Sequence, residues 1–498
     1  MEKIFTRFLH LMTAALILSS SVLIAQAAPT PLENCSYKNA TSYESMLSYL
    51  EDLKKNYPFL EVETIGTSVQ GRKIPMIHVV QKDSGKKVKV VLFCQQHGNE
   101  PSGKEAALLI LKKIADEKGA GLYPNLDLYI IPSVNPDGNE AGKRNNGSGE
   151  DLNRDHLLLS QPEVAALHKI FMRIKPEVTL DVHEYSAYRK EFRDAGYFRR
   201  ADEQFGAPTN LNVSEKIVDY SLNKLFPFLD SELKKRGVIF SNYYKMNGPA
   251  DTVRASTTSI DDGRQSFAIL NTFSFILEGK NGRNMNDELQ RRTTSQIAAI
   301  ESFLSFVNIN SVEIKELVKR EKNQIAKSAE PVVLQMDYVF NGSKINLEME
   351  TVSGKDTSVA MYYSPEVKSL ESVDRPDAYV VPGSRKDIID LLDRHGIHYR
   401  TIQKEEDRQV EIYTVKSVAG KWMENKPTKY LSVTKRISKS TISRGDVIVP
   451  LDDYNSLLLV IALEPTSMWG LVQYDEFSYL REKGKDYPIY RIPVSKRN

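Results

Sequence analysis

Apolar positions along the chain follow two spacings, one typical of strands and one typical of helices. Short apolar runs rich in β-branched residues predict strands, and they lie at 62–69, 73–81, 87–94, 126–133, 178–183 and 271–278. Apolar positions three or four residues apart predict helices at 43–56, 103–117, 161–174, 213–236 and 287–308. Strands that alternate with helices indicate an α/β fold with a mixed, mostly parallel sheet flanked by helices.

The pattern changes after residue 310. Residues 311–330 are highly charged, and a Ser-Ala-Glu-Pro break at 328–331 follows, which indicates a linker helix. Beyond it, short strands are predicted at 332–340, 344–352, 358–363 and 378–382, then a helix at 384–395 and further strands to the end. We therefore predict a catalytic domain at 28–310 and a smaller β-rich accessory domain at 331–498.

The first 27 residues have the pattern of a secretory signal peptide. Lys3 and Arg7 precede an apolar stretch at 11–24, and small residues at 25–27 suit a cleavage site. The alternative, an uncleaved anchor, is disfavoured because the stretch is shorter than the about 20 residues that span a bilayer. We expect an exported protein, periplasmic or extracellular, without stable membrane association once residues 1–27 are removed.

Composition narrows the class of protein without identifying its function. The 498 residues are 41% hydrophobic and 27% charged, with a formal net charge of +2. These values exclude a disordered or collagen-like chain and provide no overall charge that would attract nucleic acid. Cys35 and Cys94 form neither a Cys-x-x-Cys motif nor a disulfide framework. The function therefore has to be sought in local motifs.

Metal-binding residue types follow the ends of two predicted strands. His97 and Glu100 come after the strand at 87–94 with a glycine between them, and His183 ends the strand at 178–183. Two imidazoles and one carboxylate are the ligand set of a catalytic zinc site, whose fourth position is left to water. The alternative is that His97 and Glu100 are ordinary surface residues, because an isolated His-x-x-Glu is common.

Further polar residues follow other strand ends in a fixed order. Asn135-Pro136-Asp137-Gly138 is followed by Arg144, then by Asp151-Leu152-Asn153-Arg154, and Glu278 ends the strand at 271–278. In open α/β sheets, ligands bind beyond the carboxyl ends of the strands. Each motif alone can be read as a turn or a surface charge, whereas the ordered set favours an active site.

Over about residues 43–308, this ordered set resembles the zinc metallocarboxypeptidase family of the pancreatic carboxypeptidase type. The resemblance implies the family's mixed eight-stranded sheet between helices. It also implies that His97, Glu100 and His183 bind Zn²⁺, with Asp151 orienting His97.

The resemblance implies roles for four further residues. Arg144 would polarise the scissile carbonyl, and Asn153 and Arg154 would hold the free C-terminal carboxylate of a peptide substrate. Glu278 would be the general base. Two C-terminal segments, 375–382 and 487–491, also resemble an extra domain of some secreted bacterial members.

The sequence departs from the family pattern in two places. The region where many members carry a substrate-capping tyrosine, here 251–256, contains none, and Tyr243 or Tyr244 further upstream are the alternatives. The residue that determines side-chain preference falls within 259–262, where an offset of one separates an apolar pocket floor from an acidic one. The preferred side chain therefore stays open.

We expect a zinc-dependent metallocarboxypeptidase that hydrolyses C-terminal peptide bonds. Two alternatives remain: a zinc-dependent N-acyl amino acid deacylase or cell-wall peptide amidase, and a non-catalytic binding protein that keeps the fold.

Overall fold

An eight-stranded sheet forms the centre of the first half of the chain in the computed structural model, which describes residues 26–81, 86–117, 121–424 and 426–494. The predicted signal peptide lies outside these residues except for its last two positions. The first ten strands are β1 Leu60–Thr67, β2 Lys73–Val79, β3 Val88–Cys94, β4 Leu126–Ile131, β5 Val178–Tyr185, β6 Tyr197–Arg199, β7 Glu203–Gly206, β8 Phe240–Asn242, β9 Val253–Arg254 and β10 Phe273–Lys280.

The strand order in the central sheet is β1-β2-β4-β3-β5-β10-β7-β8. The pairs β4–β3, β3–β5, β5–β10 and β7–β8 are parallel, and the other three are antiparallel. The predicted mixed, mostly parallel eight-stranded sheet is therefore confirmed. The parallel strands β3, β5 and β10 are adjacent, so their carboxyl ends lie side by side.

Helices cover both faces of this sheet. They span Pro31–Asn34, Tyr43–Asn56, Ser102–Asp116, Pro136–Ala141, Pro162–Ile174, Lys190–Asp194, Glu215–Tyr220, Phe226–Lys235, Gly263–Ala268, Leu289–Ile309 and Ser311–Ile325. Alternate side chains of β3 point to opposite faces, as in any strand. Val91 and Phe93 belong to one buried core, and Val90, Leu92 and Cys94 to the other. Burial on both faces explains why residues 90–94 of β3 are an unbroken apolar run.

The second half of the chain is rich in strands, as predicted. Its strands are β11 Val332–Val339, β12 Lys344–Thr351, β13 Asp356–Ser364, β14 Glu366–Val373, β15 Ala378–Val381, β16 Arg400–Thr401, β17 Glu406–Met423, β18 Lys426–Ile442, β19 Val447–Pro450 and β20 Tyr490–Ile492. One sheet has the order β16-β19-β15-β20-β17-β18, and β11 pairs with β14. A helix spans Lys386–Arg394.

The run of strands predicted between the helix at 384–395 and the end is wrong at three segments. Leu471–Gln473 and Asp475–Arg481 are 3-10 helices, and Ser456–Leu463 is an α-helix with every residue buried. This last segment is apolar at almost every position, so it shows neither helical nor strand periodicity. The surrounding core, which includes Leu459 and Trp469 of this region and Phe93 of the central sheet, determines its structure.

Strands from the two halves also share a sheet of order β6-β12-β13-β9. The segment predicted as a linker contains the helix Ser311–Ile325, whose Ile314, Leu317 and Val318 are buried in the core of the first half. The two halves are thus joined by backbone pairing as well as by packing. The predicted boundaries at 310 and 331 stay a prediction.

The turn between β17 and β18 contacts residues of the first half of the chain. Glu424 is buried, and its Oε1 accepts a hydrogen bond of 2.8 Å from the backbone N–H of Thr258. Its Oε2 accepts one of 2.8 Å from the hydroxyl of Thr257, and Trp469 Nε1 donates to Thr258 Oγ1 at 3.1 Å. Residues distant in sequence therefore hold the segment 256–258 in position.

Among the described residues, no single helix combines the length and apolar composition needed to cross a membrane. The helices Leu289–Ile309 and Ser311–Ile325 meet that criterion only as a pair, with a bend of 80° between them.

Replacement of Glu424 by alanine should lower the free energy of unfolding by about 1–3 kcal/mol, because buried donors on Thr257 and Thr258 lose their acceptor. Urea denaturation monitored by fluorescence measures this change. Glu405→Ala removes an exposed carboxylate of the same region and should change stability by less than about 0.5 kcal/mol. Equal losses in the two variants would contradict a specific role for Glu424.

Candidate active site

The loop after β3 presents His97 and Glu100 at the carboxyl edge of the sheet. Gln95 begins the loop with a left-handed φ of 58°, and its Nε2 donates to the carbonyl of Gly98 at 3.0 Å. A Cβ atom at Gly98 would lie 2.0 Å from the carbonyl carbon of Gly138. Only glycine fits there, and this close packing against the helix Pro136–Ala141 fixes the direction of the loop.

Three side chains converge at this edge. His97 Nδ1 lies 2.9 Å from Glu100 Oε1, His183 Nδ1 lies 3.1 Å from Glu100 Oε2, and the two Nδ1 atoms are 3.0 Å apart. The three residues are buried, and their donor atoms form a group that can hold a metal ion. Two nitrogen ligands about 2.05 Å from a tetrahedral zinc would be about 3.3 Å apart. The donor set therefore fits zinc in both chemistry and spacing.

Each histidine is oriented by a carboxylate on its other ring nitrogen. His97 Nε2 lies 3.1 Å from Asp151 Oδ1, and His183 Nε2 lies 2.8 Å from Asp181 Oδ1. An ionised carboxylate only accepts hydrogen bonds, so Nε2 of His97 carries the proton and its Nδ1 is left to bind a cation. The negative charge of Asp181 next to His183 Nε2 favours the same arrangement there. The sequence prediction missed Asp181, although its position two residues before His183 puts both side chains on one face of β5.

The charges around the three side chains favour a cation. Burial alone would lower the pKa of His183, but the carboxylates of Asp181 and Glu100 raise it well above the usual value. Burial opposes ionisation of Glu100, yet the imidazoles of His97 and His183 hold its pKa well below the usual range. The same negative surroundings that retain a proton on His183 favour a divalent metal ion.

Glu278 lies beside this group on the next strand. It is the register partner of His183 in the parallel pair β5–β10. Burial raises the pKa of Glu278 to about 7; nearby Glu100 raises it as well, and His183 opposes both effects. A carboxylate with that pKa is suited to accept and return a proton near neutral pH.

The three remaining predicted site residues border the same cavity. Arg144 donates from Nη2 to Asp151 Oδ2 at 3.0 Å, and Asn153 Oδ1 accepts from the backbone N–H of Gly263 at 2.8 Å. Burial opposes the charge of Arg154, but the carboxylates of Asp261 and Asp151 raise its pKa above the usual value. The cavity, of about 200 Å³, is lined by His97, Glu100, Arg144, Asn153, Arg154 and Glu278 among others. The structure thus brings all the predicted site residues together.

The two positions left open by the sequence also border this cavity. Tyr243 and Tyr244 both line it, and burial, with a contribution from Glu278, raises the pKa of Tyr243 to about 12. Ile260 is buried in the core, whereas Asp262 lines the cavity. Asp262 Oδ1 accepts the backbone N–H of Gln265 at 2.8 Å, so this carboxylate is partly occupied as a helix cap. Only part of the Asp262 carboxylate is therefore available to a substrate side chain in the cavity.

Comparison with known proteins finds similarity to carboxypeptidases, both over an N-terminal segment and over most of the chain. A family model described as zinc carboxypeptidase matches residues 46–194. The chain is 24% identical to Carboxypeptidase 2 of Trichophyton rubrum over 468 residues, which cover 91% of this chain and 86% of the relative. It is 30% identical to Carboxypeptidase D of Mus musculus over 145 residues, 25% of this chain and 10% of that one.

Among solved structures, carboxypeptidase A from Helicoverpa armigera superposes with a TM-score of 0.46 at 18% identity, covering 63% of this chain and 87% of that one. The expectation that the chain is a secreted bacterial member stays a prediction.

Replacement of Asp181 by asparagine should weaken zinc binding by about 10- to 100-fold, because His183 loses the charge that orients it and makes it a better ligand. Competition with a chromophoric chelator measures the affinity. Asp127→Asn is a matched control, since Asp127 Oδ1 makes a similar contact of 2.7 Å with His78 Nε2 away from the cavity. Equal zinc affinity in the two variants would contradict the role assigned to Asp181.

Proposed function

The chain belongs to the zinc carboxypeptidase family, and we propose that it removes the C-terminal residue of peptides through attack by a zinc-activated water. It is a peptide-bond hydrolase of that family. The observation that carries the proposal is the convergence of the Nδ1 atoms of His97 and His183 with Glu100, one strand away from Glu278.

His97, Glu100 and His183 would hold the metal. When bound, zinc acts as a Lewis acid and makes water a nucleophile near neutral pH. Asp151 and Asp181 keep the two imidazoles in the orientation that exposes their Nδ1 atoms. These two carboxylates therefore support binding without contacting the substrate.

Glu278 moves the proton. Its carboxylate accepts a proton from the attacking water as the water oxygen bonds to the carbonyl carbon. It then returns that proton to the leaving nitrogen as the C–N bond breaks. The products are a shortened peptide and a free amino acid.

Three residues recognise the substrate. Arg144 is about half exposed, so its guanidinium can reach the scissile carbonyl and offset the developing negative charge. Arg154 would pair with the terminal carboxylate in a bidentate manner, and the amide of Asn153 would donate to the same group. A cavity that requires this carboxylate selects chain ends over internal peptide bonds.

We also infer export, to the periplasm or the extracellular space. The support is the basic, apolar and small-residue pattern of the first 27 residues.

A substrate panel tests the reaction class. Purified protein should cleave peptides with a free C-terminus, should lose activity with a chelator and regain it with zinc, and should not cleave C-terminally amidated peptides, because Arg154 then has no carboxylate to bind. Chromatography of the products measures cleavage. Equal cleavage of amidated peptides would overturn the exopeptidase proposal. Turnover restricted to N-acyl amino acids would indicate a deacylase, and no turnover would indicate a binding protein.

Glu278→Gln should lower kcat by about 10²- to 10⁴-fold at unchanged zinc content, because the amide cannot accept a proton. In the parent protein, kcat/KM should fall as the pH drops through the pKa of Glu278, which a bound divalent cation would place at or below about 7. Glu203→Gln is the control: burial keeps the pKa of this neighbouring carboxyl well above its usual value, so its replacement by a neutral amide should change kcat little. An active Glu278→Gln variant would exclude Glu278 as the base.

A further inference from the structure

The active-site cavity contains more positive charge than the proposed reaction uses. Besides Arg144 and Arg154, it is lined by Arg199, Lys245 and Arg264, and by Arg189, whose Nε lies 3.6 Å from Glu191 Oε2. Arg264 Nη2 lies 3.4 Å from Asp262 Oδ2. Within the described parts of the chain, no carboxylate oxygen lies within 4 Å of a side-chain nitrogen of Arg199 or Lys245.

Arg199 is a buried cation held only by neutral groups. Its side chain donates from Nη2 to Gln204 Oε1 at 2.8 Å and to the carbonyl of Tyr244 at 3.2 Å. Its guanidinium carbon lies 4.3 Å from the centre of the Tyr185 ring, and the residue is only 7% exposed. Burial lowers its pKa. Glu278 attracts this cation, but no carboxylate oxygen of the described residues lies within 4 Å of it, so an anion bound next to Arg199 would offset the cost of burying its charge.

Lys245 is half-buried close to Arg154. Its pKa is lowered to about 8, first by burial and then by repulsion from the Arg154 guanidinium. A bound carboxylate would relieve this repulsion. Lys245 therefore adds a second cation to the same cavity. Glu424 attracts it, but no carboxylate oxygen of the described residues lies within 4 Å of its Nζ.

Arg264 contributes a further donor at the floor. Its buried Nε has no hydrogen-bond partner among the described residues. A Cβ atom at Gly206 would lie 2.8 Å from Arg264 Nη1, so only glycine allows the guanidinium to pack this closely against the backbone of β7.

The acidic residues of the cavity do not neutralise these cations. Glu100 faces His97 and His183, and Glu184 Oε1 lies 2.7 Å from Nε of buried Arg292. Asp262 caps a helix, and Glu278 is required as a base. The lining of the cavity is thus electropositive even after Arg154 is assigned to the terminal carboxylate of the substrate.

We propose that Arg199, Lys245 and Arg264 form a pocket for an acidic side chain, so that the protein preferentially removes C-terminal glutamate or aspartate. This inference rests on the proposed carboxypeptidase function and adds its side-chain preference. A carboxylate in this pocket would accept charge-assisted hydrogen bonds from Arg199 and Lys245, which have no carboxylate oxygen within 4 Å among the described residues, and from Arg264, whose contact with Asp262 is 3.4 Å long.

Steady-state kinetics on N-acyl dipeptides that differ only in a C-terminal Glu, Gln, Leu or Lys test the preference. The expected kcat/KM for Glu exceeds that for the isosteric Gln by about 10- to 100-fold, because only Glu carries the charge. Lys245→Met should reduce the Glu-to-Gln ratio by about tenfold with little change for Leu. Lys245→Glu should shift the preference towards Lys.

Two further variants separate pocket contacts from general effects. Arg199→Gln should also lower the Glu-to-Gln ratio, and a partly misfolded variant would lose activity on both substrates without changing that ratio. Lys190→Met removes an exposed lysine outside the cavity and should leave the ratio unchanged.

The outcomes distinguish the two proposals. If the parent protein prefers Leu or Lys, or if neither Lys245→Met nor Arg199→Gln changes the ratio, the acidic preference is overturned and the carboxypeptidase function stands. If none of the four dipeptides is cleaved, the proposed function fails and the preference fails with it.

Discussion

The parallel pairing of β3, β5 and β10 is the constraint on which the site depends. It brings the loop after β3 next to His183 on β5 and puts Glu278 in register with that histidine on β10. A register shift of one residue between β3 and β5 or between β5 and β10 would move a site side chain to the other face of the sheet, where it would enter the apolar core. The apolar residues buried on both faces make such a shift costly, so the cores that stabilise the fold also position the reacting groups.

Charge at this edge is arranged in layers around the histidines. The two imidazoles share Glu100 on one side, and each has its own aspartate on the other. Further out, Arg144 bonds to Asp151, and Glu184 pairs with the fully buried Arg292. Buried charges persist only when they are paired and hydrogen-bonded. Arg199 is hydrogen-bonded only to neutral groups, and the half-buried Lys245 has no carboxylate oxygen within 4 Å among the described residues, which is why these two cations, rather than the paired residues, support the proposed ligand.

The apolar pattern predicted six of the eight strands of the central sheet, and only the family resemblance implied eight. The strands β7 and β8 were missed because runs of four and three residues show no periodicity. The order of chemical groups was sufficient to predict the residues that collect at the edge of the sheet, because strand ends are local features. Asp181 was missed because it lies inside an apolar strand. Arg199 and Lys245 were missed because they lie on or beside strands of three residues or fewer, where periodicity carries no signal. The contacts of Glu424 depend on pairing between segments more than 160 residues apart, for which the sequence has no local sign.

The turn at Glu424 supports one side of the cavity, and its residues are synthesised late. Thr257 and Asp262, which line the cavity, lie in or next to the segment that Glu424 and Trp469 hold. Synthesis proceeds from the N-terminus, and the N-terminal part of a chain generally folds first. All eight strands of the central sheet are therefore made well before the residues that brace this wall. The wall gains its support only near the end of translation, which delays a complete cavity until the chain is almost finished.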